Sequence, residues 1–158
     1  MMRRVLWISA LVVVLDQLTK WVALKYLTRH LEVPVIPFVN LTLVYNRGAA
    51  FGFLNNADGW QNLFFIAIAL IACAVITYLI LRLRQKDIMV GLALSLILGG
   101  AAGNLIDRFL HGYVIDFVDV YYGSWHWPAF NVADSAITVG AAVLVLDALG
   151  VGRRRRIA

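Results

Sequence analysis

Apolar residues run in four long blocks, 5–24, 63–81, 88–106 and 132–150. Crossing ~30 Å of hydrocarbon takes ~20 helical residues, so each block predicts one membrane span. The first block follows Arg3 and Arg4 as a secretory leader would. It has no small-x-small motif after it, is long for a signal core and is interrupted by Asp16 and Lys20, so it reads as a retained helix. Between the blocks the period changes. In 25–62, LEVPVIPFVNLTLVYNRGAAFGF alternates apolar with polar residues behind two prolines, the pattern of short strands lying against a membrane surface. In 107–131, VIDFVDVYYG is β-rich and SWHWPAF follows it. The two segments are expected to pair into a small sheet. The predicted fold class is an all-α integral membrane bundle of four transmembrane helices with a small extracytoplasmic β-sheet lobe, forming one domain over 1–158.

Composition agrees with this pattern. Of 158 residues, 62% are hydrophobic and 15% charged, and mean hydropathy is +0.81, which excludes an ordinary water-soluble domain of this size. The net charge of +5 does not point to nucleic acid, because Lys and Arg gather at span ends. Nine of the 14 basic residues (Arg3, Arg4, Arg82, Arg84, Lys86 and Arg153 to Arg156) fall on one side of the predicted bundle, and Lys20, Lys25, Arg29, Arg47 and Arg108 on the other. The positive-inside rule then makes both termini and the 82–87 loop cytoplasmic and turns 25–62 and 107–131 outward. Trp60, Tyr121, Tyr122, Trp125 and Trp127 suit a belt at headgroup depth. The lone cysteine, Cys73, lies inside an apolar block and reads as a packing residue. Asn40-Leu41-Thr42 matches a glycosylation sequon by chance.

Against this apolar background the ionisable residues are costly, about 2.5 to 3.5 kcal/mol each at a span centre. Asp16 and Lys20, in DQLTK, are four apart on one helical face and are read as a structural ion pair. Gly99 and Gly103 allow close helix contact before Asn104, Asp107 and Arg108. Arg108, with five donors, can orient a carboxylate or a substrate carbonyl. Asn131 and Asp134 resemble a capping box opening the last helix, but a cap does not explain Asp116, 18 residues earlier and at the same membrane level. Two carboxylates near low-dielectric surroundings do not both ionise easily, so such a pair supplies an acid and a base together. Spacing leaves Asp116 and Asp119 as equal candidates for the first acid. His111 and His126 are 15 residues apart, without the close pairing of a zinc site, and read as surface or interfacial histidines. No serine occupies a nucleophile elbow, and no glycine loop is built to cradle phosphate.

Five separated blocks, DQLTK at 16–20, YNRGAAF at 45–51, GNLIDR at 103–108, VIDF at 114–117 and FNVAD at 130–134, resemble the lipoprotein signal peptidase (signal peptidase II) family of bacterial membrane aspartyl proteases. The resemblance implies removal of signal peptides from diacylglyceryl-modified prolipoproteins, with cleavage just before the lipidated cysteine. It carries the catalytic pair onto Asp116 and Asp134. Asp16, Lys20, Asn46, Gly48, Asn104, Arg108 and Asn131 become supporting or substrate-contacting residues. No metal and no organic cofactor are expected. The implied setting is a monomer among the lipids of the bacterial inner membrane, with its site toward the outer face and no nucleic-acid partner. Two other classes are weighed beside it: a proton-coupled transporter, disfavoured because the acids cluster at one face, and a noncatalytic lipid-binding protein whose Asn131 and Asp134 only cap a helix.

Overall fold

A computed structural model describes residues 2–48, 60–84 and 87–150. Most of YNRGAAFGF, Lys86 and the arginine tail lie outside the described residues. A 3-10 turn, Met2–Val5, leads into α1, Leu6–Tyr26. Then follow β1 (Val33–Ile36), β2 (Val39–Asn46), α2 (Trp60–Arg82), α3 (Ile88–His111), β3 (Val114–Tyr122), β4 (Trp125–His126) and α4 (Val132–Ala148).

Three of the helices, α1, α2 and α3, are long and apolar enough to cross a membrane. The side chains they leave outside are those that water would not tolerate. On α2, Leu63, Phe64, Ile68, Ile71, Val75 and Leu79 are all exposed, and only Gln61, Ile76 and Ile80 are buried. A continuous exposed apolar surface of this kind fits lipid as the surrounding solvent. The fourth helix departs from expectation. It has 17 residues, ends at Ala148 rather than 150 and carries Asp147 in its last turn. At 1.5 Å per residue it rises about 25 Å, short of the ~30 Å core.

α3 is the central helix and packs on α1, α2 and α4. Small residues make that possible. A Cβ on Gly99 would lie 2.7 Å from the Val12 side chain, and one on Gly103 would lie 2.5 Å from Asp16 Oδ2. α3 runs five residues past its predicted end at 106, carrying Asp107 and Arg108 within it, and stops where Gly112 takes φ 78°, a conformation that costs glycine little.

The strands form an antiparallel sheet in the order β1-β2-β3-β4. In the β2–β3 pair, Val44 stands opposite Asp116 and Asn46 opposite Val114, with a register shift between Leu41 and Val44. Because side chains alternate along a strand, Asp116 and Asp119, three positions apart, project to opposite faces. Leu43, Ile115 and Phe117 pack with Ala23 of α1, which fixes the sheet to the bundle. The sheet therefore sits at the end of the bundle where α1 and α3 finish and α2 and α4 begin. Asn40 is buried, which leaves no room for a glycan on the 40–42 sequon.

Candidate active site

The sheet and bundle meet over a set of buried polar side chains that includes Asp16, Lys20, Asp107, Asp116 and Asn131, each about 1% exposed or less. Groups this deep must satisfy one another.

Asn131 joins the two acids. Its Nδ2 donates to Asp116 Oδ1 at 2.7 Å and its Oδ1 accepts from the Asp134 backbone N–H at 2.9 Å. The Asn131 N–H in turn donates to Asp134 Oδ2 at 3.3 Å, so the capping box expected from sequence is present. Capping engages only one Asp134 oxygen, and Oδ1 accepts from Asn104 Nδ2 at 2.8 Å. On the other side of Asp116, Asn46 Nδ2 donates to Oδ2 at 3.0 Å. Asn46 Oδ1 accepts from the Gly48 N–H at 3.1 Å, and Arg108 Nη2 donates to the Gly48 carbonyl at 3.0 Å. Asn46, Gly48 and Arg108 thus form a chain that holds the end of β2 against α3.

Beneath this layer lies the ion pair expected from sequence, in a larger form. Lys20 Nζ is 2.8 Å from Asp16 Oδ2 and 2.9 Å from Asp107 Oδ2, and it donates to Asn104 Oδ1 at 3.0 Å. Asp16 Oδ1 accepts from the Ala133 N–H at 2.9 Å, at the positive end of α4. Asp107 Oδ2 accepts from the Ile115 N–H at 3.0 Å and Oδ1 from Gln17 Nε2 at 2.9 Å. Lys20 therefore orients Asn104, which holds Asp134, while its two carboxylate partners fasten α1 to α4 and α3 to β3.

All nine residues singled out from the sequence belong to this network. Asp107 and Gln17 were not in that set. The signal for Asp107 was its spacing, because Gly99, Gly103 and Asp107 recur every four residues along the α3 face turned to α1.

Electrostatics set Asp116 apart. Burial first, and the negative charge of Asp134 second, push its carboxyl from the ordinary 3.8 up to about 7, with Asn46, Lys20 and Asn131 pulling the other way. The arrangement holds a carboxyl that keeps its proton near neutrality beside a second carboxylate, the condition for acid and base in one place. Asp119 is elsewhere, hydrogen-bonded to Asn40 and 3.0 Å from His126 Nδ1.

The family model described as signal peptidase (SPase) II matches residues 8–150. The lipoprotein signal peptidase of Alteromonas mediterranea is 50% identical over 144 residues, covering 91% of this chain and 79% of that protein. That of Burkholderia thailandensis is 54% identical over 144 residues, covering 91% and 86%. A bacterial membrane enzyme solved by the in meso method at 2.3 Å superposes with a TM-score of 0.84 at 32% identity, over 98% of this chain and 94% of that one. A second, solved by the same method at 1.9 Å, gives 0.81 at 34% identity, over 92% of each.

Proposed function

The chain belongs to the signal peptidase II family, membrane proteases of lipoprotein processing, and we propose that it works as an aspartic endopeptidase through Asp116 and Asp134. Its substrates are prolipoproteins, and the bond cut is the one just before the cysteine that carries the diacylglyceryl group. The observation that carries this reading is the pair of carboxyls, Asp116 buried and Asp134 half-buried, both held by Asn131: its side-chain amide donates to Asp116 and its backbone N–H to Asp134.

The ionised member of the pair takes a proton from water as that water attacks the scissile carbonyl. The protonated member donates a hydrogen bond to the carbonyl oxygen, where negative charge develops. Collapse of the tetrahedral intermediate breaks the C–N bond, and the abstracted proton passes to the departing amine. The pair titrates as a unit, so the shared proton belongs to both. Asn46, Asn104 and Asn131 hold the carboxyls, Lys20 holds Asn104 and is itself held by Asp16, and Gly48 with Arg108 holds Asn46 at the end of β2.

α4, with the apolar Leu149 and Gly150 after its end, serves as the fourth span of a bundle that works as a monomeric single domain in the bacterial inner membrane. Both termini and Arg82 and Arg84 face the cytoplasm, so the sheet lies at the outer surface. That depth suits the substrate, because a diacylated chain stays in the bilayer and its scissile bond must be met where lipid and water adjoin.

The test is cleavage by the purified protein, in detergent, of a prolipoprotein with and without its diacylglyceryl group. Cleavage of the lipidated form alone, before the modified cysteine and unchanged by chelator, is expected. Asp134→Asn keeps the capping acceptor, so it is expected to stay folded yet lose cleavage, whereas Asp87→Asn, at the other end of the bundle, keeps it. A lipid-independent cut, or full activity in Asp134→Asn, would overturn the proposal.

A further inference from the structure

On the sheet face opposite Asp116 a second polar cluster gathers residues from four pieces of chain: Glu32 just before β1, Asn40 in β2, Asp119 in β3 and His126 in β4. Ligand atoms of Glu32, Asp119 and His126 all lie within 4.8 Å of one another. His126 Nδ1 stands 3.0 Å from both Asp119 oxygens, and its ring stacks on Tyr121 with centroids 5.5 Å apart, which holds that nitrogen toward the carboxylate. Asp119 is 5% exposed, so its charge needs a partner.

Asn40 supplies an independent sign. It is 4% exposed, and its Nδ2 donates to Glu32 Oε2 at 3.3 Å and to Asp119 Oδ2 at 3.0 Å. Its Oδ1 is buried and has no hydrogen-bond partner among the described residues. A buried amide oxygen left alone is unfavourable. As placed, Oδ1 is directed away from the two carboxylates that Nδ2 faces; with a cation between them, the amide turned over would give Oδ1 to that ion in place of the two Nδ2 bonds.

We propose that Glu32, Asp119 and His126, with the Asn40 carbonyl alongside, form a site for a divalent first-row metal ion such as Zn²⁺ that ties the sheet together. One imidazole nitrogen with carboxylate and carbonyl oxygens is a donor set for such ions, and the nitrogen disfavours Mg²⁺ and Ca²⁺. Zinc ligands sit at about 2.0–2.2 Å in a tetrahedron, so two of them on one ion are about 3.4 Å apart. Glu32 and His126 are exposed side chains at the sheet edge, free to close the remaining distance, about an ångström. The ion is remote from the chemistry and takes no part in proton transfer. It clamps the segment before β1 and the short β4 onto the β2–β3 pair, the two strands that carry Asn46 and Asp116.

The full-length protein in detergent micelles, stripped with chelator and dialysed, is titrated with ZnCl2 by calorimetry, and its Tm is followed with and without excess Zn²⁺. Saturable uptake of one Zn²⁺ per chain and a Zn²⁺-dependent rise in Tm are expected, since a ligand that binds only the folded state stabilises it by mass action. Glu32→Gln and His126→Gln, at exposed positions, should each weaken binding at least tenfold and remove the rise. Absence of saturable uptake, or binding and a Tm rise that persist in the double variant, would overturn the site. Neither readout involves cleavage.

Discussion

Asp116 sits where its two protonation states are finely balanced. Burial and Asp134 disfavour its charge, while three side chains, Asn46 and Asn131 by hydrogen bonds and Lys20 by charge, favour it. With its carboxyl at about 7, Asp116 keeps its proton below that pH and loses it above. Cleavage is therefore expected to fall about tenfold per unit as pH rises beyond about 7. Asn46 donates to the ionised form, so Asn46→Ala should lower the rate and move this limb to higher pH; a rate–pH profile in detergent reads both. The choice between Asp116 and Asp119 could not be made from spacing, because both follow the β-rich pattern of 114–122. It depends on strand parity and on what lies across the sheet: Asn131 and Asn46 for the one, His126 and Asn40 for the other.

The helices were legible from the length of the apolar blocks, even with Asp16 and Lys20 inside the first, and α1, α2 and α3 begin within about three residues of their predicted starts. The end of α3 was less so, because Asp107 and Arg108 look like the start of a loop when the helix that neutralises them is out of view. Lys20 of α1 is what allows Asp107 to remain helical and buried. Lys20→Ala would leave Asp16 and Asp107 facing each other without a cation. Removing one partner from a buried ionic group costs about 3–5 kcal/mol, so Tm should drop on the order of 10 °C in a thermal melt. A melt within a degree of the parent would show that the buried triad holds nothing together. α4 shows the reverse case: its apolar block continued to 150, but its regular helix ends at Ala148, one residue after the block's polarity changes at Asp147.

Among the described residues, Arg4, Arg82 and Arg84 lie at the end of the bundle opposite the sheet, and the positive-inside rule turns that end to the cytoplasm. In a Cys73→Ala background, Ser124→Cys in the β3–β4 turn should react with a membrane-impermeant maleimide in intact cells lacking an outer membrane. Arg84→Cys should react only after the membrane is opened; the opposite pattern would invert the topology. Such an arrangement leaves the acids at one face with apolar helix beyond them, a poor path for moving protons across. The central claim is that Asp116 and Asp134 act as one catalytic unit, and single-turnover cleavage of a diacylglyceryl-modified prolipoprotein by Asp116→Asn, Asp134→Asn and the double variant tests it most directly. Each single variant is expected to lose on the order of 10³-fold in rate, with the double variant no slower than either. A single variant that keeps more than about a tenth of the rate, or losses that multiply in the double variant, would contradict it.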